Sequence, residues 1–380
     1  MRGRRRRRVG LFMGLIDHFE HGVARGVVRF ARGRPDWDLY GYGWMFQSLG
    51  SLERWDGDGF VARIESRKHA DQLAARGIPV VDVAGGWGRP GFRQVCNDDA
   101  ATGALAARHL KSLGISTFAF CGVPRVGWSQ ARRDAFRAAV APSRVSVFEQ
   151  PLAWWEGLHE SRRLDEWLRG LPKPVALFAC NDTTGLRAGA ASRRLGLAVP
   201  EDVAILGVDN EDILCELSVP PLSSISLDLE RIGWEAAETL SGFIEGRPGR
   251  PAPILIAPRE VVERASTRTL ATGDILVDAT LRLIHGAAAA ERLSVGSVVR
   301  HVPGSRRSLE KRFRKALGRS IHQEIIRHRI DSARRLLRDT TLTISAIAGE
   351  TGFANAQRFY AAFRGAQGVT PGAYRRSYRG

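Results

Sequence analysis

Three polar residues near the C-terminus are spaced so that one helix would present them to DNA. Asn355, Gln357 and Arg358 lie in the segment AGETGFANAQRFYAAFR, in which Phe359 and Phe363 recur at helical spacing. Asparagine, glutamine and arginine make paired hydrogen bonds with the edges of adenine or guanine in the major groove. A helix-turn-helix places the first residues of its second helix there. We therefore expect the three polar residues to contact bases and the phenylalanines to form the core.

A segment with the same layout precedes this one, and a predicted helix of about residues 321–338 separates the two. Residues 303–305, Pro-Gly-Ser, predict a turn with Ser305 as the helix N-cap. Residues 306–317 predict a basic helix with apolar side chains at every fourth position from Leu309. The residues expected to contact DNA here are Ser305, Arg306, Arg307, Lys311 and Arg312.

The positive charge of the chain is concentrated in this region. The net charge is +17, and residues 270–380 hold 20 basic against 8 acidic side chains. Residues 1–8 add six arginines, which leaves the body between them close to neutral. An alternative is an arginine-rich solvated surface over two ordinary helical hairpins. Two segments of the same layout, together with the charge, favour a module that binds DNA.

The body of the chain has a different pattern. From Val9 to about Thr267, short apolar runs such as PVALFAC and EDVAILGVD alternate with helical segments. Strands that are apolar along their whole length are typical of parallel sheets covered by helices. We expect an α/β fold of two lobes, each a doubly wound parallel sheet, with the first crossing near residues 111–116. An all-α domain with two helix-turn-helix motifs follows.

These patterns give the expected division of the chain: a basic disordered arm (1–8), a sensor (9–265), a linker (266–278) and a DNA-binding domain (279–380). The start could pass for a secretory signal, but its apolar run ends in Asp-His without a small-residue cleavage site. The run is therefore interpreted as a first buried strand. No apolar run approaches the roughly 20 residues of a membrane span, and we expect a cytoplasmic protein.

Other classes of function receive little support. Four widely spaced cysteines fit buried, reduced thiols, and His18 with His21 lacks a third metal ligand. No Ser-His-Asp spacing, phosphate-binding glycine loop or carboxylate cluster with a nucleophile is present, so neither an enzyme nor a cofactor is expected. A transport-type solute-binding protein would lack the basic helical end.

Residues 279–380 resemble an AraC-type DNA-binding domain. The match rests on Leu309, Arg312-Phe313 and Gly318, and on a second set: Ile347-Ala348, Thr351-Gly352-Phe353, Phe359, Phe363-Arg364, Gly368, Thr370-Pro371 and Tyr374-Arg375. Gly349 and Gly365 depart from the pattern, because stronger helix formers are usual there. The resemblance implies two heads that read successive major-groove segments on one face of DNA.

Residues 9 to about 265 resemble the sensor domain of LacI-type regulators, which has a periplasmic-binding-protein-like fold. The matching stretches are VCNDDAATGALAARHLKSLG, RRDAF, FACNDTTG and VAILGVDNEDILCELSVPPLSSI. A sensor of this kind in front of an AraC-type domain is similar to the enterobacterial xylose operon activators. A LacI-type regulator would instead carry its DNA-binding head at the N-terminus.

This resemblance implies a sugar site in the interlobe cleft. Sugar hydroxyls both donate and accept hydrogen bonds, so carboxylates, amides and a guanidinium suit them, with aromatic faces over the C–H surface. The expected ligand-binding residues are Asp17, Phe19, Asp98, Arg132, Asn181, Asp182 and Asp209; Trp44, Trp87 and Trp128 also lie near expected strand ends or loops. Alternatively, Asn181 and Asp209 only cap helices, Arg132 pairs with Asp134 or Asp209, and the tryptophans fill the core.

The sequence thus predicts a regulator that binds double-stranded DNA and a monosaccharide effector. By resemblance it is an activator of a sugar-utilisation operon, works as a homodimer and acts on RNA polymerase, with xylose as the leading effector. Another pentose or hexose remains open as the effector. A repressor would share every one of these sequence features.

Overall fold

The computed structural model describes residues 6–41, 55–85, 92–157, 161–247, 252–268, 274–286 and 293–379. The chain divides into two compact units, Met1–Arg268 and Thr269–Gly380. The first unit combines strands with helices, and the described residues of the second are helical.

Two largely parallel sheets form the framework of the first unit. The strands are β1 Arg7–Phe12, β2 Trp37–Tyr40, β3 Gly59–Ala62, β4 Val80–Asp82, β5 Arg93–Asn97, β6 Thr117–Gly122, β7 Val145–Glu149, β8 Val175–Ala179, β9 Val203–Asp209, β10 Ser223–Ser226, β11 Ile254–Ile256 and β12 Glu260–Val262. Within the described residues the first sheet, in lobe 1, has the order β11-β5-β4-β3-β1-β2. The second, in lobe 2, has the order β12-β10-β9-β8-β6-β7, with β12 antiparallel to β10. The two-lobed α/β prediction is confirmed.

Helices cover both faces of these sheets, which is why a strand such as β8 is buried along its whole length. The helices of the first unit are α1 His18–Arg32, α2 Arg67–Ala75, α3 Asp99–Lys111, α4 Gly127–Val140, α5 Leu152–Glu156, α6 Arg162–Gly170, α7 Asp182–Arg194, α8 Asp212–Leu217 and α9 Leu229–Ile244. A 3-10 turn follows at Ala265–Thr267. The four cysteines are buried and unpaired.

The described chain crosses between the lobes three times. After β5 it crosses near residue 98, because the next helix, α3, already packs against α4 and the second sheet. The first crossing therefore lies before α3, earlier than the residues 111–116 that the sequence predicts. It returns after β10 through α9, which packs against α1, and crosses again between β11 and β12. Three connections therefore join the two lobes.

The packing of α9 against α1 depends on glycine. A Cβ on Gly233 would lie 1.9 Å from the carbonyl oxygen of Val23, and one on Gly26 would lie 2.0 Å from that of Glu230. The two helix backbones therefore approach more closely than any side chain would allow.

The N-terminal arginines are more ordered than the sequence predicts. Strand β1 begins at Arg7, not at Val9, so the expected arm of residues 1–8 extends too far. Arg6 pairs with Asp38 at 2.6 Å, and Arg7 pairs with Glu245 at 2.7 Å. These carboxylates hold the arginines on lobe 1; residues 1–5 lie outside the described part of the chain.

The second unit is a repeat of short helices. Its helices are α10 Ile275–Gly286, α11 Val295–Arg300, α12 Arg306–Leu317, α13 Ile321–Asp339, α14 Ile344–Glu350, α15 Ala356–Gln367 and α16 Pro371–Arg379. The pairs α11–α12 and α14–α15 are the two predicted helix-turn-helix motifs. Helices α12 and α15 each span 12 residues and end at a glycine with positive φ, Gly318 and Gly368.

Each motif has its own core, and α13 contributes to both. Ile321 and Ile325 pack with Leu309 and Phe313 in the first head, which comprises α10 to α12 and the start of α13. The second head comprises the rest of α13 with α14 to α16, and its core includes Phe359, Phe363, Tyr374 and the α13 residues Ile330, Ala333 and Leu337. The helix between the motifs is therefore part of both heads.

The expected linker of residues 266–278 is too long at both ends. Ser266 and Thr267 are buried in the first unit, and the hydroxyl of Ser266 donates a hydrogen bond to the carbonyl of Ile205 at 2.6 Å. At the other end, Val277 is buried in the core of the first head. Residues 269–273, between these anchored ends, lie outside the described residues.

Candidate functional site

A cavity opens between the two lobes where strands of both sheets end. Its empty volume, counted to the open mouth, is about 930 Å³. Ligands of open parallel sheets bind at this edge of the strands. Of the seven residues expected from the sequence, five line the cavity: Asp17, Phe19, Arg132, Asn181 and Asp209.

The wall from lobe 1 is organised by Arg63, which follows strand β3. Asp17 caps helix α1 by accepting a hydrogen bond from the backbone of Glu20 at 2.8 Å, and its other oxygen pairs with Arg63. The guanidinium also lies 3.1 Å from Glu65 and 5.3 Å from the centre of the Phe19 ring. The pairing fixes the Asp17 carboxylate and the Phe19 ring at the cavity wall.

The wall from lobe 2 is organised by Arg132 on α4, which is only 3% exposed. Its guanidinium donates to Asp99 at 2.8 Å and to the carbonyl of Cys180 at 2.6 Å, and it lies 5.1 Å from the Trp128 ring. Asp209 is 3.9 Å away. Of the two alternative partners expected from the sequence, Asp209 is thus within ion-pair distance of Arg132, whereas Asp134 pairs with Arg133.

Asp209 ends strand β9 with its backbone at φ 106°, a value that is uncommon outside glycine. Its side chain is 27% exposed and lines the cavity. Burial raises the pKa of Asp209 above its ordinary value; Arg132 opposes this shift and the carboxylate of Asp182 adds to it. Asp209 thus presents to a ligand a carboxyl group that is a weaker acid than an ordinary aspartate.

The adjacent residues Asn181 and Asp182, which follow strand β8, have different roles. Asn181 is the N-cap of α7, as one alternative expected, and it also lines the cavity. Asp182 does not line the cavity, so the structure argues against its expected ligand contact. It is buried and accepts hydrogen bonds from Ser224 at 2.6 Å and from the backbone of Glu211 at 2.8 Å. Asp182 therefore joins three segments of lobe 2 from inside.

Asp98 was also expected to bind the ligand, but it does not line the cavity. Asp98 is the N-cap of α3 and accepts a hydrogen bond from the backbone of Ala101 at 2.8 Å. The next residue, Asp99, lines the cavity and pairs with Arg132. Both aspartates can cap a helix, so the sequence alone did not show which one would turn toward the cleft.

Several lining residues were not predicted: His18, Arg63, Asn97, Asp99, Glu156, Thr183 and Glu211. Arg63 and Glu211 follow strand ends, so the rule that polar residues follow such strands would have found them. Glu156, at the end of α5, carries no such signal. Trp128 lines the cavity, whereas Trp44 and Trp87 lie outside the described residues.

The predicted DNA-contacting residues lie at the start of the two basic helices. Ser305 accepts a hydrogen bond from the backbone of Ser308 at 3.3 Å, and Asn355 accepts one from the backbone of Arg358 at 2.9 Å. Both residues are therefore N-caps, and the amide oxygen of Asn355 is used inside its own helix. A direct base contact by Asn355 would have to come from its amide nitrogen.

The remaining predicted side chains are exposed: Arg306, Arg307, Lys311, Arg312, Gln357 and Arg358. Arg312 is partly engaged, because it pairs with Asp274 at the start of α10 at 2.9 Å. Beneath these side chains the buried rings of Phe313, Phe359 and Phe363 hold the helices in place.

The described residues show neither a metal site nor a membrane-spanning helix. Among the described residues, no group of three or more histidine, cysteine, aspartate or glutamate side chains is arranged so that it could hold a metal ion. None of the helices in that part of the chain combines the length and the apolar character that crossing a bilayer requires.

Comparison with known proteins agrees with both halves of the structure. Residues 107–267 match a family model described as a periplasmic binding protein-like domain, and residues 298–377 match one described as a helix-turn-helix domain. The two models thus fall on the two units of the chain.

Full-length relatives carry the same arrangement. The xylose operon regulatory protein of Escherichia coli (strain K12) is 30% identical over 98% of this chain and 97% of its own length. Its counterpart in Haemophilus influenzae is 29% identical over 97% of this chain and 98% of its own length. A solved structure of the xylose-binding transcription activator xylR covers 99% of both chains with a TM-score of 0.65 and 29% identity. The chain therefore belongs to the family of xylose operon regulatory proteins, which are DNA-binding transcription regulators and not enzymes.

Proposed function

We propose that this protein senses a monosaccharide in the cleft between its lobes and activates transcription of a sugar-utilisation operon, with xylose as the leading candidate effector. The observation that carries the proposal is the lining of the cleft, in a chain that also has two DNA-binding heads. Xylose and activation are suggested by the names of the full-length relatives.

The chemistry of the lining supports a sugar. The carboxyl groups of Asp17 and Asp209 can accept hydrogen bonds from hydroxyl groups, and the amide of Asn181 both donates and accepts. The rings of Phe19 and Trp128 lie on opposite walls, where each can cover an apolar C–H face of the ligand. These five residues, with Arg132, are the proposed ligand-binding set.

The proposed switch is closure of the cleft. Phe19 and Asp17 belong to lobe 1, whereas Arg132, Asn181 and Asp209 belong to lobe 2, so a ligand that contacts both sets favours the closed form. A ligand shifts such an equilibrium by its difference in affinity for the two forms. In the proposed cytoplasmic homodimer, closure changes how two pairs of heads engage repeated DNA sites and RNA polymerase.

The effector is identified by a thermal-shift screen of the full-length protein against pentoses and hexoses, D-xylose included. A ligand at 100 times its Kd stabilises the native state by about 2.7 kcal/mol, which gives a clear shift. One responding sugar supports the proposal and names the effector. No shift with any sugar contradicts sugar sensing and leaves the assignment to DNA binding intact.

The exposed side chain of Arg358, at the start of α15, is proposed to read a base. Arg358→Ala is expected to weaken binding to operator DNA, selected beforehand from a random pool, by about 1–3 kcal/mol. Binding to random DNA should weaken much less, because a lost base contact affects only the sequence-specific complex. Both affinities are measured by fluorescence anisotropy over a range of salt concentrations.

Arg364→Ala, which removes the same charge later on the same helix, is the control. It should weaken binding to both DNAs equally and reduce the salt dependence of each, as a phosphate contact would. Equal losses on both DNAs for Arg358→Ala would show that Arg358 contacts phosphate and not a base.

A further inference from the structure

The charges that line the cleft are unbalanced. Five carboxyl groups face two guanidinium groups: Asp17, Asp99, Glu156, Asp209 and Glu211 against Arg63 and Arg132. Burial lowers the pKa of His18, the remaining titratable group of the lining, so it adds no positive charge near neutral pH. Burial raises the pKa of Asp209 to about 8, so this group contributes little charge near neutral pH. The other four carboxyl groups still outnumber the two guanidinium groups, so the cleft holds an excess of hydrogen-bond acceptors and of negative charge.

Both guanidinium groups already bind acceptors of the protein. Arg132 already binds Asp99 at 2.8 Å and the carbonyl oxygen of Cys180 at 2.6 Å. Arg63 binds Asp17 and lies 3.3 Å from Glu20. An incoming carboxylate or phosphate would compete with these protein acceptors, and a protein carboxylate displaced from its pair would be left unpaired inside the cleft.

Two of the carboxyl groups, on Glu156 and Glu211, form no ion pair within 4.0 Å with a basic side chain in the described part of the chain. Glu156 ends α5, and Glu211 lies between β9 and α8, so both belong to lobe 2. Burial and the nearby Asp17 raise the pKa of Glu211, with His21 opposing, as expected for a carboxylate in a negative environment.

This environment discriminates between ligands by charge. Hydroxyl and amino groups bring the donors that unpaired carboxylates require, since an ionised carboxylate only accepts hydrogen bonds. A ligand anion brings acceptors and a like charge into a cavity where water screens charges less than in bulk solvent.

We propose that the cleft accepts hydroxyl-rich ligands without negative charge and rejects aldonic acids and sugar phosphates, and that Glu156 and Glu211 are the residues that enforce this selection. The proposal rests on the sugar-sensing function proposed above and adds the charge class of the effector.

The test is calorimetric titration of the full-length protein with matched ligands. D-Xylose, L-arabinose, D-ribose and D-glucose are each compared with their aldonate and with their terminal phosphate. For the sugar that binds, both anions are expected to bind at least about 100-fold more weakly. In the double variant Glu156→Gln with Glu211→Gln this ratio should shrink at least about tenfold, since two negative charges are lost at nearly constant shape.

Glu201→Gln is the matched control, because Glu201 is exposed and lies outside the cavity lining. It makes the same change of charge in lobe 2 and should leave the ratio unchanged. An anion that binds wild-type protein as tightly as the parent sugar overturns the charge selection. A ratio that the double variant leaves unchanged overturns the role of the two glutamates. If none of the neutral sugars binds, the sugar-sensing function itself fails, which is a different result from either.

Discussion

Asp209→Ala is expected to abolish the response to the effector while the protein keeps its fold. The Asp209 carboxyl group faces the cleft, and the guanidinium of Arg132 lies 3.9 Å from it. Loss of its hydrogen bonds to ligand hydroxyls should weaken binding by about 3 kcal/mol, or roughly 100-fold or more. The measurement is calorimetric titration with the sugar found in the thermal-shift screen.

The fold should tolerate this change for an electrostatic reason. Because the pKa of Asp209 is raised in the folded protein, the folded state holds its proton more tightly than the unfolded state does. Its contribution to stability is therefore greatest below the ordinary pKa near 4 and is lost as pH rises through the folded value. The unfolding free energy of the variant should accordingly improve relative to wild type as pH increases from about 4 toward neutrality. The backbone at this position has φ 106°, which is unfavourable for alanine and offsets part of the gain in unfolding free energy.

Asp182→Ala provides the contrast in the same lobe. It removes the acceptor for buried Ser224 and for the backbone of Glu211, so it should lower the free energy of unfolding by about 2–4 kcal/mol. Any loss of ligand binding should follow that loss of stability. If Asp209→Ala keeps full affinity for the sugar, Asp209 is not a ligand-binding residue.

Phe363→Ala is expected to unfold the second DNA-binding head. The Phe363 side chain is fully buried, with ring centres 5.5 Å from Phe359 and 5.3 Å from Tyr374. Truncation of a buried phenylalanine costs about 3–5 kcal/mol. The small core of the second head is expected to provide an unfolding free energy only slightly larger than this cost. Affinity for operator DNA, measured by fluorescence anisotropy, should fall at least about 100-fold.

Tyr360→Ala is the matched control, because Tyr360 lies on the same helix but is 40% exposed. It should leave the stability of the head nearly unchanged. Hydrogen exchange then locates the effect: in Phe363→Ala, amides of α14 to α16 should lose protection while those of α12 keep it. Operator affinity within a few-fold of wild type would mean that the second head is dispensable for binding.

The elements of the chain were largely predictable because local signals agreed with the fold. Helix α12 has the bounds predicted from its N-cap serine and its apolar spacing. Strand β1 begins earlier than expected because acidic residues far away in the sequence neutralise Arg7. A local pattern contains no information about such partners.

The residues that line the cleft were only partly predictable from the sequence, and two pairs of adjacent residues show the same reason. In both Asp98-Asp99 and Asn181-Asp182, one residue caps a helix and its neighbour turns in another direction. The capping residue faces the cavity in the second pair, whereas the following residue does so in the first. The two helices differ in where they pack: α3 packs on the lobe opposite to β5, the strand before it, whereas α7 packs on the sheet that contains its own preceding strand, β8.

Helix α13 has a consequence for the spacing of the DNA sites. Ile321 and Ile325 belong to the first core, and Ile330, Ala333 and Leu337 belong to the second. One residue inserted between Ile325 and Ile330 would turn the second head by about 100° around the helix axis and move it by about 1.5 Å. Seven inserted residues would nearly restore the original direction, about 10 Å farther along. The number of residues in this one helix thus sets the relative orientation of the two heads, and with it the expected spacing of the two DNA segments that they are proposed to bind.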